Sequence, residues 1–112
     1  MHRFDGLDIE LTRGDSLQLK VFIRGRTFPD GTLALFTVKR RTKDETPAIE
    51  KKIPIEPDGS VQIGLSHADS DITPATYFWD LRVLIPLGDG TYEVRTPMEY
   101  AAFSILEVVG DV

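Results

Sequence analysis

Residues 76–85, Thr-Tyr-Phe-Trp-Asp-Leu-Arg-Val-Leu-Ile, constrain the fold more than any other stretch of this chain. They form its longest run of aromatic and β-branched residues and contain its sole tryptophan, a composition typical of a β-strand. Turn-forming residues bound the run, with Pro74 before it and Gly88 and Gly90 after it. We therefore predict that residues 76–85 form the central strand of an antiparallel β protein, with Trp79 facing the core.

The same period of two recurs along the rest of the chain. Apolar and polar side chains alternate in residues 7–12, 17–24 and 60–65, as they do in half-buried strands. Residues 32–39 are apolar on both faces, which favours a strand that is covered on both sides. The pattern predicts seven or eight short strands, with a turn about every 8–12 residues. Such spacing indicates a β-sandwich or a β-barrel, and the clean alternation of the polar faces favours the sandwich.

Two segments depart from simple alternation. Residues 48–55 carry Pro54, which lacks a backbone donor, and Lys51 and Lys52, which protect an open edge from pairing with another chain. We predict an edge strand there. Residues 66–71 begin with the spacing of a capping box, with Asp in place of Glu or Gln, and we predict one short helical turn that crosses between the sheets.

Length and composition limit the class of protein further. The chain has 112 residues and no cysteine, so we predict a single domain, residues 1–112, without disulfide or thiolate metal sites. Residues 1–6 and 110–112 are predicted to be flexible tails. The net charge of −5 argues against a nucleic-acid partner. The sequence contains neither a long apolar run nor the apolar core of a signal peptide, so we expect no membrane partner and no secretion by that route.

Residues able to perform chemistry are few. His67 lies near Asp69 and Asp71, and a histidine beside carboxylates can act as a general base or a metal ligand. The two aspartates, with Asp58 or Asp89, offer oxygen ligands for calcium, although ordinary turn and cap chemistry explains the same residues. We find no nucleotide-binding, hydrolase or metal-protease motif. We therefore predict a protein that is not an enzyme and binds no cofactor. A small β-barrel enzyme is the minor alternative.

A second apolar surface is predicted opposite the core. Asp80 and Arg82 share it, and they either pair across strands with Arg95 and Glu93 or form ion pairs in an interface. A surface of this kind on a lone monomer is unusual and favours assembly. The alternatives are a misassigned strand face or a covering loop at residues 26–31. The apolar members of this candidate interface are Phe22, Leu33, Leu35, Phe78 and Leu84.

The order of several segments resembles a known family. A Gly-Asp-Ser turn at 14–16 leads into an alternating strand, followed by Ala-Leu-Phe-Thr-Val-Lys-Arg at 34–40, Tyr-Phe-Trp-Asp-Leu-Arg-Val at 77–83 and Phe-Ser-Ile at 103–105. Over about residues 7–109, the chain resembles the small immunoglobulin-like domains of tailed bacteriophages and prophages, such as the N-terminal domain of baseplate upper proteins.

The resemblance implies an immunoglobulin-like antiparallel β-sandwich and a structural or interaction role without catalytic residues. Its partners would be other phage structural proteins, and copies of the chain itself in a homo-oligomer. Its place would be the virion, in the tail, baseplate or neck, or the bacterial cytoplasm during assembly. Baseplate upper proteins continue beyond this domain, so we expect a stand-alone tail, neck or adaptor subunit.

A carbohydrate-binding module is the main alternative. Sandwiches of this size bind sugars through exposed aromatic side chains supported by polar ones. Tyr92, Tyr100 and Phe28 are the aromatic residues near turns that would serve. Trp79 lies in the middle of a predicted strand, and its expected burial counts against this alternative.

Overall fold

The computed structural model describes residues 2–5, 8–23, 27–96 and 100–108. Within these ranges, the chain forms nine strands in two sheets and one short helix, α1 (His67–Ser70). The predicted all-β class with one helical turn is confirmed. The strands are β1 (His2–Asp5), β2 (Asp8–Thr12), β3 (Leu17–Phe22), β4 (Leu33–Lys39), β5 (Ile49–Pro54), β6 (Ser60–Leu65), β7 (Ala75–Pro86), β8 (Tyr92–Arg95) and β9 (Ala101–Leu106).

Strand β7 is the centre of the larger sheet, as its composition predicts. The order of this large sheet is β1-β2-β9-β7-β4-β5, and β8 also pairs with β7. One edge of β7 pairs with β4, while the other pairs with β9 along its first half and with β8 along its second half. The small sheet consists of β3 and β6, which run antiparallel. Its inward side chains pack on those of the large sheet as one core.

The pairing of β2 with β9 differs from the antiparallel expectation, because these two strands run parallel. Parallel neighbours cannot be joined by a tight turn and need a long connection, which most of the chain supplies here. β1 pairs antiparallel with β2 and raises the number of strands to nine within the described residues. It lies in a segment predicted to be a flexible tail, whereas residues 110–112 lie outside the described residues.

The core is organised by a cluster of aromatic rings. Phe36 of β4 lies 5.5 Å from Trp79 of β7 and 6.4 Å from Phe103 of β9, measured between ring centroids. All three side chains are fully buried. Tilted and edge-on ring pairs contribute roughly 0.5–1.5 kcal/mol each beyond their buried area. The cluster therefore ties together β4, β7 and β9, and two of these strands, β4 and β7, carry predicted interface residues on their opposite face.

The predicted edge strand is confirmed, since β5 ends the order of the large sheet. Its Pro54 pairs with Leu33, and its Lys51 ammonium lies 2.9 Å from the Asp69 carboxylate of α1. Proline and lysine there limit further strand addition, because proline offers no donor and a buried ammonium is costly.

The helical turn is also as predicted, with both halves of the capping box formed. The Ser66 hydroxyl accepts a hydrogen bond from the Asp69 backbone N–H at 3.2 Å, and the Asp69 carboxylate accepts one from the Ser66 N–H at 2.8 Å. The helix then docks on the turn after β2, where Ser70 Oγ donates to the Asp15 carbonyl at 2.6 Å. These bonds close one end of the sandwich without a longer helix.

Candidate interaction surface

The large sheet has an outer face, which points away from the small sheet. Six of the seven predicted interface residues lie on it, in β4 and β7. Their pairing places Leu33 beside Leu84 and Leu35 beside Arg82. These side chains are half-buried or exposed, whereas the alternate residues of both strands are buried in the core. The six residues on the outer face are Leu33, Leu35, Phe78, Asp80, Arg82 and Leu84.

Phe22, the seventh residue, is on the other side of the molecule. It belongs to β3, and it points outward from the small sheet with 56% of its surface exposed. The Lys20 ammonium lies 5.1 Å from the centroid of its ring. Its inclusion in the candidate interface was wrong. Alternation shows which face of its own strand a residue occupies, but it does not show which sheet the strand joins.

Two charged rows cross the outer face next to each other. In the basic row, Leu35 stands between Lys52 of β5 and Arg82 of β7. In the acidic row, Thr37 stands between Glu50 of β5 and Asp80 of β7. The rows are about 7 Å apart, because their residues lie two positions apart along each strand. The Arg82 guanidinium and Asp80 carboxylate are 3.9 Å apart at their nearest atoms.

That contact corrects the expected cross-strand pairing. Arg95 pairs instead with Glu93 on its own strand, with Nε 2.7 Å from the carboxylate. The register explains this, because β8 sets Arg95 opposite Val83, which faces the core side of the sheet. Neither Arg95 nor Glu93 therefore shares a face with Asp80 and Arg82.

Apolar side chains flank the two charged rows. Beyond the basic row lies the apolar row, in which Val94 of β8 stands beside Leu84, Leu84 beside Leu33, and Leu33 beside Pro54. Beyond the acidic row lies the aromatic end, where the rings of Phe78 and Tyr100 meet edge to face at 5.5 Å.

The aromatic end is one wall of a groove. The groove has a volume of about 350 Å³, and its floor includes Leu35, Thr37 and Asp80. The opposite wall comes from the loop between β4 and β5, through Glu45 and Pro47. Arg82 of the basic row also lines the groove. No apolar-row residue lines the groove.

The predicted interface omits three large exposed hydrophobic side chains of this surface. Val94 and Tyr100 are 55% and 61% exposed, and Tyr92 of β8, opposite Pro86, is 48% exposed. The signal for Tyr92 and Val94 is their alternation with Glu93 and Arg95. It becomes informative only when the hairpin register with β7 is known, because that register assigns the face.

The outer face of the small sheet is different in kind. Its paired residues are Gln18 with Gly64 and Lys20 with Gln62, and these four positions are polar or lack a side chain. Only Phe22 interrupts this polar surface. The two outer faces of the sandwich are thus unequal, and the apolar one belongs to the large sheet.

The candidate chemical residues are occupied by local structure. The His67 ring Nδ1 lies 2.6 Å from the Gly14 carbonyl, and Arg13 Nε lies 3.0 Å from the Asp71 carboxylate. Three other carboxyls have a lowered pKa because each accepts hydrogen bonds. Ser60 donates to Asp58, the Ser66 backbone N–H donates to Asp69, and Thr91 donates to Asp89. These are turn and cap contacts. No three His, Asp or Glu side chains gather as a metal site in the described part of the chain.

The predicted sugar-binding aromatics do not form a set. Phe28 is only 5% exposed and belongs to the core, so its assignment as a contact residue was wrong. Its ring packs in the core cluster, which the turn-like sequence around it did not indicate. Trp79 is buried, as predicted. Tyr92 and Tyr100 remain exposed on the outer face.

Comparisons with known proteins identify no family for this chain. No protein-family model matches the sequence, and a search of curated proteins gives no significant match. Across the described ranges, no helix is long and apolar enough to span a membrane.

Proposed function

We propose that this protein is a non-enzymatic interaction subunit, which assembles with other proteins through the outer face of its large sheet. The observation that carries the proposal is the contrast between the two outer faces. One presents the apolar row and the aromatic end, while the other presents glutamine, glycine and lysine with the single exposed ring of Phe22. Exposed apolar side chains that gather on one face in this way mark interaction sites on soluble proteins.

The setting we propose is the tail, baseplate or neck of a bacteriophage or prophage. The support is the resemblance of residues 34–40 and 77–83 to immunoglobulin-like phage domains. Two features of the fold agree with an immunoglobulin-like sandwich: β3 and β6 share one sheet while β4, β7 and β9 share the other. In addition, the Tyr77 hydroxyl donates to the Thr73 carbonyl at 2.7 Å, as in the tyrosine corner of those domains.

The proposal is tested by replacing the gene in its native genome and analysing the released particles. Val94→Asp puts a charge into the apolar row, and Gln62→Glu puts the same charge on the small sheet as a matched control. We expect the control chain to be found in purified particles by mass spectrometry and the Val94→Asp chain to be lost from them. Absence of the unaltered chain from particles would refute the phage setting, and equal incorporation of both variants would refute the role of this face.

A carbohydrate-binding role is the second candidate. The exposed ring of Tyr100 stands over a groove whose lining includes Asp80 and Arg82, an arrangement of stacking surface and charged groups that suits a sugar. A glycan array with the unaltered protein and with Tyr100→Ala tests it. Binding that disappears with the ring would favour this role. No binding by the unaltered protein would end it.

A further inference from the structure

We infer that the outer face of the large sheet binds a second copy of this chain around a two-fold axis. The axis lies in the interface, perpendicular to β7, and passes between the basic row and the acidic row. This inference rests on the proposed function, since it names the partner of the same surface. Three properties of the face support it independently: the order of its charges, the order of its apolar ends and its shape.

The charges are self-complementary about this axis. Rotation by two-fold symmetry preserves the strand column and exchanges the basic row with the acidic row. Arg82 of one copy therefore faces Asp80 of the other, and Lys52 faces Glu50. An isologous interface repeats each contact twice, so four favourable charge pairs form around the centre. Complementary rows also fix the register of the two sheets, because a shift by one row brings like charges together.

The apolar ends are complementary in the same way in the column of β7, whereas in the column of β4 the rotation sets Lys39, which pairs with Phe78, opposite Leu33. The rotation carries the aromatic end of one copy onto the apolar row of the other. Phe78 then meets Leu84, since both stand in the column of β7. Tyr100 precedes β9, and Val94 belongs to β8, and these two strands flank the same edge of β7. Tyr100 stands one residue before Ala101, which pairs with Trp79, so the rotation places it one row away from Val94 in the same column. Its ring contacts Phe78, and both rings therefore lie at the end of the face that approaches the apolar row of the other copy.

Shape supports the same partner. The groove lining extends from the loop between β4 and β5 and the aromatic end to Leu35 and Arg82 of the basic row, while no apolar-row residue contributes to it. The rotation places the grooved end of each copy over the apolar row of the other. Face-to-face sheets pack with their strands aligned to within about 30°, which this axis allows. A second copy thus supplies the charge, the apolar surface and the contour that the face requires.

The first measurement is the mass of the protein in solution. Light scattering after size exclusion should give twice the chain mass of 12.6 kDa at high concentration. Arg82→Glu and Asp80→Arg should each weaken dimerisation at least tenfold, because symmetry repeats every like-charge pair. Lys20→Glu, a reversal of the same size on the small sheet, should leave the dimer unchanged. A monomer at the highest concentration for the unaltered protein would overturn the inference.

The decisive measurement is rescue by mixing. Arg82→Glu and Asp80→Arg chains, each monomeric alone, should form a heterodimer when combined. In the mixed pair, the introduced carboxylate of one chain faces the introduced guanidinium of the other, and the remaining native Arg82 faces the remaining native Asp80. Failure to associate would overturn the two-fold arrangement. Lys52→Glu with Glu50→Lys provides a second exposed swap on β5, should either β7 variant fold poorly. Fluorescence of buried Trp79 confirms folding in each case.

These results are separable from failure of the proposed function. If the unaltered protein is monomeric in solution but the Val94→Asp variant is lost from particles, the face binds another protein. That result refutes self-association alone. A dimer that is rescued by mixing but is absent from particles would refute the phage setting and leave the inference in place.

Discussion

Gly59, in the turn that connects β5 to β6, should be among the least replaceable residues of the fold. It adopts a φ of +87°, and a Cβ at this position would lie 2.5 Å from the Ile23 carbonyl oxygen. Backbone left-handed geometry costs a non-glycine residue about 1–2 kcal/mol. The contact cannot be relieved by a side-chain rotation, because the opposing atom belongs to the backbone.

The magnitude for Gly59→Ala follows from these two costs. Moving the Ile23 carbonyl away also disturbs the hydrogen bond from the Ile23 N–H to the Gly59 carbonyl, which is 2.9 Å long. Loss of that bond adds about 1 kcal/mol. Replacing glycine by alanine also reduces the conformational entropy of the unfolded chain, which offsets the loss by roughly 0.4–1 kcal/mol. These terms give a net loss of about 1–2.6 kcal/mol in the free energy of unfolding, and the displacement of the Ile23 carbonyl adds to it.

Gly90→Ala is the matched control. Gly90 has a φ of +89°, but no heavy atom lies within 4 Å of the position that an alanine methyl would take, so only the backbone cost applies. We expect a loss of about 1 kcal/mol or less there. Urea unfolding followed by Trp79 fluorescence measures both variants. Equal losses for the two variants would refute the argument that the Ile23 carbonyl decides the cost at Gly59.

Three further outcomes test the core and the helix. Phe36→Ala removes a fully buried ring and should lower the free energy of unfolding by about 3–5 kcal/mol, whereas Phe22→Ala should lower it by under about 1 kcal/mol. Similar losses for the two variants in urea unfolding would contradict the assigned burial. Phe28→Ala should likewise destabilise the fold several times more than Tyr92→Ala. A larger drop in melting temperature for Tyr92→Ala than for Phe28→Ala would contradict the burial of Phe28. The hydrogen bond that the Asp69 carboxylate accepts from the Ser66 backbone N–H lowers the pKa of Asp69. The carboxylate therefore stabilises the fold above the ordinary carboxyl pKa, and this contribution is lost as the pH falls through the lowered pKa. Asp69→Ala should therefore cost about 0.5–1 kcal/mol at pH 7 and nearly nothing in acid; a cost that is independent of pH would exclude the carboxylate as its source.

The elements that depend on neighbouring residues are predictable from the sequence. Period-two alternation located β2, β3 and β6, Pro54 and the lysines near it marked β5 as an edge, and the spacing of Ser66 and Asp69 indicated the helix. In each case, the physical signal lies within one segment. Local hydrogen bonding and solvent contact decide the outcome there, so no distant partner has to be known.

The pairing of distant segments was not predictable in the same way. Phe22 and Phe78 both point outward from their strands. They lie on opposite sides of the molecule because their strands belong to different sheets, and the sequence does not show which sheet each strand joins. The partner of Arg82 depended on the β7–β8 register, which sets Arg95 on the opposite face. Phe28 lies in a turn-like sequence, and only the tertiary packing draws its ring into the core. Side-chain orientation is local information, whereas sheet membership and register are properties of the whole fold.

The parallel pairing of β2 with β9 has a consequence for how the chain folds. The Asp8 carboxylate accepts a hydrogen bond from the Ala102 N–H, a contact between residues 94 positions apart. Such closure costs chain entropy before it gains any packing, and folds dominated by contacts of this kind form in milliseconds to seconds. Until β9 arrives, β2 and β7 each expose an edge that β9 later covers. The interval before closure is therefore when this chain is most vulnerable to aggregation, and a chaperone or early burial of the edge would act there.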